Sequence, residues 1–128
     1  MSPMARQVHA WAAWAFVTAI VIQVVLAGLA IPQLGGNGNF GTHQGFGYAI
    51  TLFGILLIAA AAIARAGNTR ILQAIGLFVL YIIQTILPNL DPGLSFAAAL
   101  HPLNAMILFV LSIWYARQVW RERVGAAA

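Results

Sequence analysis

Ala10-Trp-Ala-Ala-Trp-Ala-Phe-Val-Thr-Ala-Ile-Val-Ile-Gln-Val-Val-Leu-Ala-Gly-Leu-Ala-Ile31 runs for about 22 residues without a charged side chain. A helix rises about 1.5 Å per residue, so this stretch matches a hydrocarbon core about 30 Å thick. A secretory signal core is shorter, about 7–15 residues, so the segment is expected to remain as a helix, stopped by Pro32. Three further segments qualify in the same way. They run from about 42 to 64, after the glycine- and asparagine-rich loop 33–41, from 71 to 87, stopped by Pro88, and from 96 to 115. The sequence therefore predicts one transmembrane domain over residues 1–128, an all-α, integral membrane four-helix bundle.

Composition agrees with that reading. The chain is 62% hydrophobic and 6% charged, whereas soluble domains carry about 25% charged residues. Its main partner is expected to be the lipid bilayer, and backbone groups in lipid must satisfy one another within helices. The net charge of +4 comes from six arginines with no lysine. They are scattered and form no basic face, which excludes nucleic acid as a partner. The absence of cysteine excludes disulfides, thiolate metal sites and covalent haem attachment. Asp91 and Glu122 are the only carboxylates, and they are expected on opposite sides of the membrane. Paired acid–base chemistry is thereby excluded, no catalytic residue is assigned, and no independent catalytic activity is expected. With no acidic group inside a helix, an ion pathway is disfavoured too.

The arginines predict the orientation. Arg6 precedes the first segment, Arg65 and Arg70 flank the second connection, and Arg117, Arg121 and Arg123 follow the fourth segment. By the positive-inside rule both termini are cytoplasmic and the loops at 33–41 and 88–95 face outward, in a bacterial inner membrane. Trp11, Trp14, Trp114, Tyr115 and Trp120 then form an aromatic belt at the cytoplasmic interface.

The two halves look like a duplicated hairpin. Ile22-Gln23-Val-Val-Leu26-Ala-Gly-Leu29 and Ile83-Gln84-Thr-Ile-Leu87-Pro-Asn-Leu90 share Ile-Gln-x-x-Leu-x-x-Leu. His43 lies 20 positions after Gln23 and His101 lies 17 after Gln84. Each histidine has a small residue four positions on, Gly47 or Ala105, and each half closes with Ala-Arg. Polar side chains in a membrane need partners, so matched glutamines and histidines weigh more than matched leucines.

If the hairpins pack around a pseudo-twofold axis along the membrane normal, His43 and His101 face each other near the outer surface. Two imidazoles in a bundle core could serve as axial ligands of a b-type haem. Gly47 and Ala105, on the same helix faces, would leave room for the flat macrocycle. Gln23 and Gln84, about a third of the way into the core, could bond each other, a histidine or the ligand edge. The alternative is that each histidine is a headgroup-facing residue at a helix start. Pro102 bears on this choice: it marks either the first turn of the fourth helix or a site inside a helix begun near Ser95, and only the second sinks His101 below the surface. His9 reads as structural, Met106 as filling, and Gly28, Gly45, Gly47 and Gly54 as close helix packing.

With Gln23-x-x-Leu-x-Gly-Leu29, Asn39-Phe-x-x-His-x-Gly-Phe-Gly-Tyr48 and Leu100-His-Pro-x-Asn-Ala105 in view, the chain resembles, over nearly its whole length, the family of small four-helix bacterial membrane proteins called domain of unknown function 6220. It is more distantly similar to one four-helix half of haem A synthase, whose second and fourth helices begin near haem-ligating histidines. That resemblance implies His43 and His101 as the metal-ligating pair. The chain has half the synthase's length and lacks its paired loop cysteines and oxidation-linked carboxylate, so haem A synthesis by this chain alone is not expected.

Three functions remain open on the sequence. The first is a haem b-binding protein with bis-histidine ligation by His43 and His101, for electron transfer or haem handling. The second is a non-catalytic accessory subunit of a larger respiratory or photosynthetic membrane complex. The third is a site for a pigment, quinone or small solute between the helices.

Overall fold

The computed structural model describes residues 2–90 and 95–125. Four helices run up and down: α1 (Pro3–Ala30), α2 (Gly41–Ile63), α3 (Asn68–Ile86) and α4 (Ser95–Gly125), with single 3-10 turns at Pro32–Leu34 and Leu87–Asn89. Each helix is long and apolar enough to cross a bilayer, and at most a third of each span is buried inside the bundle. The remaining apolar surface, including Val24, Leu52, Leu56, Val79 and Val110, points outward. Such a surface belongs in lipid, and the protein is a multi-pass membrane protein.

Each helix turns one stripe inward, at spacings of three and four that return to the same face. Ala10, Ala13, Val17 and Ile20 of α1 meet Ile50, Leu57 and Ala61 of α2, Ala74, Leu77 and Tyr81 of α3, and Leu108, Tyr115 and Val119 of α4. Sequential helices are neighbours and α1 also packs on α4, whereas α2 and α4 make no backbone approach among the described residues. The two histidine-bearing helices are thus diagonal. Gly54 brings α2 close to α3, since a Cβ there would overlap the Phe78 ring. Gly28 and Gly45 have open space where a Cβ would sit, so the expectation that they mark close helix packing does not hold.

The centres of the predicted helices are where the sequence placed them, but two ends extend further. Helix α1 begins at Pro3 rather than near Ala10, because the Ser2 hydroxyl accepts the Ala5 N–H at 3.1 Å and Pro3 occupies the first turn, both helix-start signals. Helix α4 continues past Tyr115 to Gly125. There the Arg70 guanidinium of α3 donates to Gln118 Oε1 at 2.7 Å and pairs with Glu122, holding two more turns on the bundle. The α2–α3 connection closes in a Schellman pattern, Ala66 N–H to Ala61 C=O and Arg65 N–H to Ala62 C=O. Arg65 takes the left-handed position with φ of 46°, where glycine is usual. At the opposite end, Asp91 and residues 92–94 of the α3–α4 connection lie outside the described residues.

Candidate functional site

His43 is presented by the loop before it. Gly36 N–H bonds Ile31 C=O and Gly38 N–H bonds Ala30 C=O, each at 2.9 Å, folding the loop back on the end of α1. Asn37 Oδ1 then accepts the Asn39 N–H and Asn39 Oδ1 accepts the Gly41 N–H, at 2.9 and 2.8 Å. These Asx turns start α2 at Gly41 and put His43 in its first turn, with the Phe40 ring edge-on to the imidazole at 6.1 Å.

His101 is held differently. Helix α4 begins at Ser95 and carries Pro102 inside it, so of the two placements open on the sequence the structure takes the one that sinks the histidine. It sits six residues into the helix, about 9 Å along its axis.

Despite these different supports the rings meet across the diagonal, with centroids 6.4 Å apart and planes at 77°. Each is tied to a glutamine on the preceding helix. His43 Nδ1 lies 3.1 Å from the Gln23 carbonyl oxygen, and His101 Nδ1 lies 3.1 Å from that of Gln84. A carbonyl can only accept, so the Gln23 carbonyl suits a proton on His43 Nδ1, while at His101 Nδ1 the Gln84 carbonyl, an acceptor, and the Gln84 amide nitrogen, a donor at 3.0 Å, both approach. The glutamine amides also reach the rings. Gln23 Nε2 is 3.3 Å from His43 Nε2 and donates to the His43 carbonyl at 2.8 Å. Gln84 Nε2 is 3.0 Å from His101 Nδ1 and 3.2 Å from its Nε2. Of the partners the sequence left open for the glutamines, the structure selects the histidines, and it places Gln23 and Gln84 at the histidine level rather than deeper.

Gly47 lets α1 and α2 approach closely, as one of its two readings expected. A Cβ there would stand 2.8 Å from Gln23 Nε2, so the space above Gly47 is filled by the amide and not left open for a macrocycle. Its carbonyl accepts the Tyr81 hydroxyl at 2.6 Å, and Thr51 Oγ1 lies 2.9 Å from the same hydroxyl. Ala105 is half-buried in α4.

Asn104 was not singled out from the sequence. It is buried and donates to Gln84 Oε1 at 2.7 Å and to the Leu80 carbonyl at 3.0 Å. A polar residue three positions from His101 in an apolar helix shares its face, and that spacing was the available signal. The corresponding position after His43 is Phe46, and Gln23 Oε1 is buried without a partner.

At the other end of the bundle His9 is structural, as expected, and only 3% exposed. Its Nε2 is 2.7 Å from the Tyr115 hydroxyl, which lies 3.2 Å from the Arg70 carbonyl oxygen. This contact fastens α1 to α4 and both to the start of α3.

Among the described residues no three His, Asp or Glu side chains cluster, so the site offers two donors where a closed tetrahedral zinc site needs four. Two imidazoles are the complement of a haem iron's two axial positions. With Fe–N bonds of about 2 Å, axial ring centroids fall about 6 Å apart, close to the separation seen. Metal-binding histidines characteristically donate their other N–H to a carbonyl or carboxylate, and here a carbonyl oxygen lies 3.1 Å from Nδ1 of each ring. Two imidazoles match the donor number of a haem iron, and its binding between them would require both glutamine amides to move off the rings.

The chain belongs to a family of unknown function, DUF6220, whose pattern matches residues 23–90. No curated protein and no solved structure matches the chain, so a resemblance to haem A synthase is not shown.

Proposed function

From membership of DUF6220 as the premise, we propose that this protein is a b-type haem carrier of the bacterial inner membrane, with His43 and His101 as axial ligands, serving electron transfer or haem handling. The reading rests on one observation: two imidazoles on diagonal helices stand 6.4 Å apart, each with Nδ1 3.1 Å from a glutamine backbone carbonyl oxygen. When bound, haem supplies reversible one-electron chemistry. The chain's part is to hold both rings by Gln23 and Gln84 and to exclude water with apolar helix faces. We take the two hairpins as copies of one ancestral unit, which accounts for a matched ligand on each. Because all six arginines stand at the end that carries the termini and the α2–α3 turn, that end is assigned to the cytoplasm and the histidines to the outer leaflet.

Absorption spectroscopy of protein purified from haem-replete cells tests the proposal. The expected result is a Soret band that sharpens on reduction and disappears in His43→Ala/His101→Ala. Colourless wild-type protein, or colourless protein isolated with a stoichiometric membrane partner, overturns it in favour of an accessory subunit.

A further inference from the structure

The outward face of α4 at the terminal end carries a shallow, open depression bordered by residues of α4 alone. Val110, Ile113 and Trp114 line its membrane half, and Arg117 and Arg121 line the half toward the helix end. These residues recur at three and four, so they form one continuous stripe about 16 Å long from Val110 to Arg121. That length spans the step from hydrocarbon through the headgroup layer.

The charge of the stripe is set by a contact behind it. Glu122 also borders the depression, and a free carboxylate there would repel an anion. It is instead paired with Arg70 of α3, which also binds Gln118. Arg123 is laid over the Trp120 ring at 3.9 Å. Arg117 and Arg121 make no ion pair among the described residues, so two guanidinium groups four residues apart face an apolar trough without a counter-charge. Guanidinium groups suit phosphate oxygens in forked, two-bond geometry, and Trp114 sits between phosphate and acyl depth, where an indole is at home.

We propose that this face holds one anionic phospholipid, its phosphate on Arg117 and Arg121 and an acyl chain along Val110, Ile113 and Trp114. The site is separate from the histidine pair and stands whether or not haem is bound there. An arginine near an anionic lipid surface contributes about a fivefold factor in affinity, so the pair is expected to give about thirtyfold.

Native mass spectrometry in mild detergent, with phosphatidylglycerol or phosphatidylcholine added, provides the test. One phosphatidylglycerol per chain should survive dissociation in preference to phosphatidylcholine. Arg117→Gln/Arg121→Gln should weaken it about thirtyfold and each single substitution about fivefold, while Arg65→Gln, which removes the same charge from the α2–α3 turn, should leave it unchanged. Equal retention of the two lipids, equal loss in Arg65→Gln, or displacement by millimolar inorganic phosphate overturns the proposal. So does a co-purified protein released by the Arg117/Arg121 substitutions, which would assign the face to a subunit contact.

Discussion

The two histidine half-sites reach the same geometry by different means. In both, Nδ1 rests 3.1 Å from the carbonyl oxygen of a glutamine on the preceding helix. Behind that shared contact they diverge. His43 stands in the first turn of α2 and depends on the Asn37–Asn39 turns, and the Oε1 of its glutamine has no partner. His101 lies inside a continuous helix, and the Oε1 of Gln84 is satisfied by Asn104. The difference in glutamine support comes from one residue: the position three after the histidine is phenylalanine in one half and asparagine in the other. Ring placement is therefore common to both halves, but the polar support behind it is complete in only one.

Substitutions at these positions can break or sharpen that comparison. The largest expected effect is on haem: His43→Ala and His101→Ala should each abolish the bis-histidine reduced spectrum, read in purified protein. If only one of them matters, the symmetric ligand pair is wrong.

Next in size, Asn104→Leu should destabilise the protein by about 1–2 kcal/mol, because it leaves Gln84 Oε1 buried without a donor. Thermal unfolding in detergent followed by circular dichroism would measure it. A change below 0.5 kcal/mol, roughly the scatter of surface substitutions, would mean the second half-site is no better braced than the first. Gln23→Leu should cost less than Gln84→Leu, by about 1 kcal/mol, since one of the Gln23 polar atoms is already unpaired. The reverse order would show that the donor to the His43 carbonyl outweighs the unpaired oxygen.

Smallest is Gly47→Ala. Its Cβ would press on the movable end of Gln23, and the helix gains about 1 kcal/mol in propensity. Stability is expected to stay within about 0.5 kcal/mol of wild type while the Gln23–His43 contact is lost, visible as a shifted His43 imidazole resonance by nuclear magnetic resonance.

The middle of each helix was legible because a long uncharged run has one solution in lipid. The ends were not, since hydropathy reads Arg6 and His9 or Gln118 and Glu122 as loop. Helix α1 is helical there because Ser2 and Pro3 start it early, local signals that hydropathy does not register, and both ends are held by partners remote in sequence, His9 on Tyr115 and Arg70 on Gln118 and Glu122. In the site, the histidines and glutamines were legible as matched polar residues in apolar helices. Asn104 shared that property but had no counterpart in the other half, so repetition did not pick it out. Gly47 stands out in the sequence for its missing side chain, and the space this leaves holds the Gln23 amide. A sequence shows that space exists, not which neighbour fills it.

Composition and the spacing of apolar runs alone determined four membrane-crossing helices with six arginines gathered at one end, because the cost of exposing backbone and charge to lipid leaves few alternatives. Tertiary structure alone decided that α2 and α4 lie on a diagonal with their imidazoles 6.4 Å apart, that the glutamines bond those rings rather than each other, and that Glu122 is neutralised by Arg70. Each of these depends on which helix faces meet, and helix faces are chosen by packing between segments that no local pattern relates.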